Sequence, residues 1–536
     1  LAVLPFENQG AASDDYFADG LTEEIRGKLT ALPGLQVTAS TSSGQYRKST
    51  KSLRDIAAEL GVDYLLVGKV RWEKRADGTS RVRVSPELIL VSSGASKWQE
   101  PFDAAITDVF AVQSEIAGLV AAKLDVALTD SVKTRLEAQP TKNVAAYDAY
   151  LRGRAITGSE PASLRAALAA YEQAVALDPT FALAWGVLGA TNASLYLSGV
   201  PSPELGRTVR RAADRAIALD PAAPVGYIAL AQYFRIVDVQ PDSAAAAIET
   251  ALRLDPTSPR ALTVRSVSEG MKGQWDAALT HAQAAAALDP RSAGRWASVA
   301  GLLTRLGRYG EARAAGERMI QLAPSLQQVQ VRATIELMAG DLAAARGVLK
   351  RSTLNPVALA AYMSTYNDLY WVLPEADQDV VLRLRPSSFD DDPATWATVL
   401  AQIYALRNDA ARARIYADSA RMAYVDQLKA TPNDAQLHVL YGFSLALLGR
   451  KGEAIAEGER GVALKPPSID AVNGAYLTHQ LVRIYLLAGE KEKALDGIES
   501  LLKLRYFLSP GYLRIDPGFA SLRGNPRFDR IIAAKS

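Results

Sequence analysis

Residues 293–324 read AGRWASVAGLLTRLGRYGEARAAGERMIQLAP. Two amphipathic helical runs flank the turn Leu306-Gly307-Arg308-Tyr309, with Trp296 and Ala300 on the first run and Ala312 on the second, twelve residues before Pro324. Such a unit is a helical hairpin. Small residues let the two helices approach, the indole fills the space between neighbouring units, and proline ends the second helix because its ring has no amide N–H to donate.

Prolines in the same setting stand at Pro179, Pro221, Pro256, Pro290, Pro324 and Pro356, then at Pro432 and Pro466. The first five intervals are 42, 35, 34, 34 and 32 residues, and the last pair is 34 apart. Twelve residues before these prolines stand Ala167, Val209, Ala244, Ala278, Ala312, Ala344, Ala420 and Ala454. Alanine makes up 93 of 536 residues, so seven alanines at eight such places mark a true register. The long first interval keeps the pattern at Trp185, Leu188 and Gly189, and its eight extra residues fall in an enlarged turn at 199–206. Between Pro356 and Pro432 the register degenerates, with Asp392 expected to cap a helix that Pro393 opens. From about residue 143 the chain reads as nine or ten hairpins, Gly489 and Ala494 fitting the last.

This repeat resembles the tetratricopeptide repeat. Stacked hairpins of this kind form a superhelix whose inner face comes mainly from the first helix of each unit, a concave surface suited to peptides or partner helices. With Trp296 as the filler between helices, the candidates for a partner-binding groove are Arg260, Thr263 and Val267 in one repeat and Gln436, Val439 and Phe443 in a late one. The lysine and asparagine set with which some tetratricopeptide grooves grip a C-terminal carboxylate is absent from these helices, so the ligand stays open.

Before residue 130 the period is mixed. Residues 1–6 form a short apolar run, and 20–32 place Leu21, Ile25, Leu29 and Leu32 on one helical face, with Thr22 as the expected N-cap. Strands are expected at 35–39 and 62–72, a helix at 53–60, and a turn at Ala76-Asp77-Gly78. Residues 80–90 and 95–102 alternate as antiparallel strands around Ser93-Gly94, and a helix from about 106 to 128 closes the unit. The fold class is therefore α+β: a small α/β N-terminal domain over 1–130, an all-α tetratricopeptide-repeat superhelix over 131–502, and a capping segment over 503–536.

At about 150 residues per domain, 536 residues make three or four domain equivalents, or one domain with a long array. The net charge is +2, divided as −3 over 1–140 and +5 over the rest, which excludes the strong basic excess of a nucleic-acid or membrane-surface binder. Hydrophobic residues at 49% and charged residues at 22% are globular values. Zero cysteines remove disulfides, thiol nucleophiles and thiolate metal sites together. No apolar run reaches the ~18 residues of a membrane span, since 116–128 is broken by Lys123 and Asp125. The chain opens on Leu1 within an apolar strand-like run, so a preceding segment is expected.

No phosphate loop, dinucleotide fingerprint, zinc-protease helix or kinase catalytic motif occurs in these residues. His281, His438 and His479 fall in repeat helices and read as structural. Asp390, Asp391 and Asp392 lack the alternate spacing of a calcium loop. Arg207, Arg210, Arg211 and Arg215 are interrupted by Asp214 and read as a solvated helix face, and the sequon Asn192-Ala193-Ser194 falls in a helix. No catalytic, cofactor-binding or metal-ligating residue is expected.

The segments 1–8 (LAVLPFEN), 16–24 (YFADGLTEE), 60–68 (LGVDYLLVG) and 108–113 (DVFAVQ) together resemble the TolB-like N-terminal domain, which in bacteria commonly precedes tetratricopeptide repeats. Segments 147–153 (YDAYLRG) and 518–528 (GFASLRGNPRF) are similar to the same arrangement. The resemblance implies the C-terminal region of a multidomain protein, behind a serine/threonine kinase, a winged-helix regulator or an adenylate cyclase, often with a membrane span between. It implies a sensory or scaffolding role, often outside the membrane, and carries over no catalytic residue. The expected function is a non-catalytic protein–protein interaction scaffold or sensory module with a protein or peptide partner. The alternative is a self-assembling subunit, a homo-oligomer or filament joined through solenoid ends or strand edges. The expected location is the periplasm or cell surface, with the cytoplasm as alternative.

Overall fold

The structure, a computed structural model, describes residues 1–32, 34–73, 80–105, 108–156, 161–198, 202–365 and 368–533. It divides into two compact units, residues 1–268 with 280–295 and residues 269–279 with 296–536. The division falls inside the repeats.

The first unit opens with a mixed sheet. β1 (Ala2–Val3) and β2 (Glu7–Asn8) run parallel to β3 (Tyr64–Glu73), which pairs antiparallel with β4 (Arg81–Leu90); β4 in turn pairs with β5 (Ala95–Gln99) and β6 (Phe102–Ala105). Side chains alternate across a strand, so adjacent Leu65 and Leu66 enter different cores. Leu66 packs with Val3, Leu21, Ile25 and Ile116 beneath the helices Asp15–Thr30 and Val109–Lys123, while Leu65 packs with Leu4, Ile56 and Leu60 beneath the helix Leu53–Leu60. Ser52 caps that last helix through Asp55, and Gly61 at φ +66 ends it.

Three local expectations fail for identifiable reasons. The first long helix starts at Asp15, and Thr22 is interior: its hydroxyl donates to Ala18 O at 2.8 Å and accepts from Phe6 N at 3.0 Å, fixing the chain beyond β1. Residues 35–39 form no strand: Gln36 O accepts from Leu1 N at 3.1 Å and Thr38 N–H donates to Leu1 O at 3.0 Å, but the pairing stops there because Ala39 N–H turns away to Leu288 O at 2.8 Å. The closing helix spans only Val109–Lys123, followed by Asp125 in the left-handed region at φ +56. The expected turn at Ala76-Asp77-Gly78 lies outside the described residues.

The rest is a helical solenoid of antiparallel hairpins. In the first unit they are Val144–Ala155 with Pro161–Leu177, Ala182–Ser198 with Pro203–Leu219, and Pro224–Ile236 with Pro241–Leu254. Pro259–Met271 and Trp275–Leu288 follow and span the division. The helix Ala293–Arg305, paired with Tyr309–Leu322, crosses the division at residue 295, and the second unit runs on to Asn473–Ala488 with Lys491–Lys503. Pro179, Pro221, Pro256, Pro290, Pro324, Pro432 and Pro466 each stand two residues past a helix end. Pro356 departs from the pattern and opens the helix Pro356–Thr365. The preceding helix, Leu342–Arg351, is short, and Ala345 rather than Ala344 takes the buried place, which absorbs the 32-residue interval. The enlarged turn also ends earlier than expected, since Ser202 caps a helix beginning at Pro203. Among the described residues no helix is long and apolar enough to cross a membrane.

Candidate functional site

In the first unit, Arg260 opens the inner helix Pro259–Met271, and its Nη2 reaches Ala190 O at 3.4 Å, two hairpins back. Solvent reaches the residue, yet surrounding protein lowers its pKa below the usual arginine range; Tyr171 opposes the shift, and Arg154 and Arg295 add to it. Arg260 makes no ion pair among the described residues, whereas Arg154 holds Glu23 at 2.8 Å and Arg295 holds the fully buried Asp289 at 2.6 Å. Thr263 is part of the Arg295 network: it accepts from Arg295 Nη1 and donates to Pro259 O at 2.8 Å. Val267, two turns beyond Arg260, is 39% exposed.

Sequence reasoning missed Gln232. Pro224 and Pro259 open successive inner helices, so Gln232 occupies the place of Val267 one hairpin earlier. The two helices share a core through Ile228, Ala231, Ala261 and Val264. Gln232 is 9% exposed, and its Oε1, itself enclosed, has no hydrogen-bond partner among the described residues. An acceptor enclosed in this way costs about 1–3 kcal/mol of stability. The proline alignment could have exposed this residue; the missing bond could not be read from sequence.

The late groove candidates behave differently. Gln436 is exposed beside the N-cap Asp434, but Val439 at 0% and Phe443 at 3% exposure lie in a core with Ala454, Leu477 and Ile484. This corrects the expectation that they line a groove. Helix Asn473–Ala488 covers them and lays the Arg483 guanidinium 4.4 Å from the Phe443 ring centroid. Arg483 also pairs with Asp368 at 3.2 Å, and Gln402 and Gln480 donate to the same carboxylate at 2.9 and 2.6 Å.

The inner helices of the second unit are covered by the chain's own C-terminal segment. Arg305 stacks on Trp275 and on Phe507, Ser509 Oγ donates to Met338 O at 2.5 Å, and Gly511 abuts the backbone of Met338, Ala339 and Gly340. A cavity of about 70 Å³ is left among Thr304, Gln330, Thr334, His479, Tyr506 and Tyr512. Burial holds His479 down at a pKa of about 4, with Arg483 adding to the effect, so the ring is neutral at pH 7, packed against Tyr506 and Phe519. His438 binds Glu457 at 2.6 Å and Pro432 O at 3.0 Å, and His281 lies in the helix Trp275–Leu288. The three histidines thus occupy separate helices.

The remaining polar motifs have structural partners. Asp392 caps the helix Pro393–Leu406 through Ala394 and Thr395. Arg207 pairs with Glu204, Arg210 with Asp214, and Asn192 is buried, donating to Leu188 O.

No family model matches the chain. A Rhizobium meliloti (strain 1021) protein named "Putative adenylate cyclase 3" is 34% identical over 236 residues, 43% of this chain and 39% of its own length. The chain thus spans about two fifths of the length of this curated relative. Among solved structures, a thermophilic tetratricopeptide-repeat protein of Thermus thermophilus is 20% identical over 36% of this chain and 99% of its own, with a TM-score of 0.31. The type IV pilus biogenesis factor PilW is 19% identical over 44% of this chain and 100% of its own, with a TM-score of 0.34. Pseudomonas aeruginosa pilF is 16% identical over 39% of this chain and 91% of its own, with a TM-score of 0.30.

Proposed function

We propose that this chain is a non-catalytic binding module that holds a peptide or protein partner on the inner helices of its first unit. The observation that carries the reading is the contrast between the two inner faces. In the second unit Tyr506, Phe507 and Ser509 cover them, whereas Arg260 and Val267 in the first stay open to solvent. Stacked hairpins supply a long surface of fixed spacing, which suits an extended ligand rather than a reaction centre.

The setting we infer is the sensory or scaffolding arm of a bacterial signalling or envelope protein, outside the cytoplasm. The similarity of the N-terminal segment to TolB-like domains and the cyclase name of the Rhizobium meliloti relative support that setting. The test is selection from a displayed library of random dodecapeptides on the full chain. The expected result is enrichment that Val267→Glu abolishes, because a carboxylate then stands on the open surface. No enrichment, or enrichment indifferent to that change, would overturn the reading.

A further inference from the structure

We infer that the second unit takes a small neutral molecule, an apolar body of about three carbons bearing one hydroxyl or carbonyl oxygen, into the cavity between its inner helices and the C-terminal segment. The inference lies outside the reading of the first unit and stands or falls separately from it.

Three features of the cavity carry it. The first is size. About 70 Å³ lies among Gly301 and Thr334 of the inner helices, Leu369, His479, and Tyr506 and Phe507 of the C-terminal segment. A water's share of the liquid is about 30 Å³, so the space is that of about two waters or of an organic molecule of roughly four non-hydrogen atoms. Gly301 keeps it clear: a Cβ there would meet no atom within 4 Å, so a side chain at this place would enter the cavity.

The second feature is a pair of polar groups without partners. Tyr506 and His479 are 5% and 6% exposed, and neither side chain makes a hydrogen bond among the described residues. The Nε2 of His479 is enclosed by protein, which leaves its Nδ1 and the Tyr506 hydroxyl to whatever enters. Burial raises the phenol and holds the imidazole down, so both are neutral at pH 7. The phenol O–H donates, and an oxygen lone pair of the guest accepts.

The third feature is the remaining wall. Leu369, Val331 and the Phe507 ring are apolar, and among the described residues no charged side chain lines the cavity. A carboxylate, phosphate or ammonium group would give up its hydration here with no opposite charge in return, which excludes ions. Water would meet the polar groups but gain nothing from the apolar side, whereas a short alcohol or ketone meets both.

The test is saturation-transfer NMR on the full chain with propan-1-ol, acetate and propylammonium, which match in size and differ in charge, and with methanol, ethanol and pentan-1-ol for length. The expected result is saturable transfer to propan-1-ol and none to either ion. Binding tightens about fourfold with each methylene from methanol to propan-1-ol, and falls at pentan-1-ol, which exceeds the space. Gly301→Leu puts a side chain of matching size into the cavity from a helix that favours it, and abolishes propan-1-ol binding while circular dichroism and the urea midpoint report an intact fold. Gly301→Ala, the milder filling, weakens binding by an intermediate factor and serves in its place if the leucine variant does not fold. Tyr506→Phe weakens binding about fivefold, the loss of one neutral hydrogen bond. Equal transfer to all the size-matched probes, or propan-1-ol binding unchanged in the Gly301 variants, overturns the inference. Absence of saturable binding by every alcohol means a cavity filled by water alone and overturns it as well.

Discussion

Ser42 Oγ donates a 2.5 Å hydrogen bond to Asp289 Oδ1, closing a loop of 247 residues within the first unit. The same hydroxyl accepts from Arg291 N at 2.9 Å, and Asp289, with no exposed surface, also takes Arg295 Nε at 2.6 Å. Around it Arg291 pairs with Glu59 at 2.7 Å and stacks on Tyr46. Within the first unit this contact binds the N-terminal sheet region to residues 289–295. Asp289→Ala strands a mostly buried guanidinium and is expected to cost about 3–5 kcal/mol, while Ser42→Ala costs about 1–3 kcal/mol. Urea unfolding of the full chain reads both; equal and negligible losses would mean the contact carries no stability.

Phe443 and Val267 separate core from surface. Phe443→Ala is expected to cost about 3–5 kcal/mol, since the ring is enclosed by its core neighbours and by Arg483. Val267→Ala stays within about 0.5 kcal/mol because its side chain is open. Thermal unfolding distinguishes the two, and a silent Phe443→Ala would return that residue to a groove.

These two residues also mark how far sequence reasoning reached. Proline and alanine spacing located the hairpins because each residue acts within its own unit: proline two residues past a helix, alanine at the closest approach of two helices. Val439 and Phe443 sat at inner-face spacing, but helix Asn473–Ala488 and Arg483 come over them from the next hairpin, and nothing local announces that cover. The same holds for Ala39, whose N–H bonds Leu288 across the fold, and for Gln232, whose lack of a partner is a property of its surroundings. Thr22 departs from its expected cap for a local reason: a threonine before an apolar helical face fits a cap, but the helix begins at Asp15.

Two buried groups in the second unit give opposite pH dependences. Burial pushes Asp516 up to about 6, so its contribution to stability is fully present below about pH 4 and is lost as pH rises through 6. Burial holds His479 at about 4, so its contribution is present above about pH 6.5 and is lost as pH falls through 4. Each is worth about 3 kcal/mol at most. Asp516→Asn, which keeps an acceptor for Gly518 N, is expected to exceed the wild type in stability at pH 8 and to match it near pH 4. A constant difference between the two from pH 4 to 8, in urea unfolding, would show that Asp516 titrates normally.

Gly511 sets the fit of the C-terminal segment. A Cβ there would meet Gly340 N at 2.9 Å and Met338 O at 3.0 Å, both backbone atoms that cannot swing aside. Gly511→Val is therefore expected to cost about 1–3 kcal/mol and to speed trypsin cleavage at Arg505 and Arg514 relative to the wild type. Cleavage at equal rates in both proteins would mean that the segment is not held by this contact.

Hydrogen exchange of the full chain, with and without a saturating library-selected peptide, tests most directly whether the first unit carries the ligand. The prediction is slowed exchange in Pro224–Ile236 and at 259–268, with 505–522 unchanged. Slowed exchange in Ala293–Arg305 and Leu326–Met338, with 505–522 released into faster exchange, would contradict it and make the second unit the binding surface, opened by displacement of its own C-terminal segment.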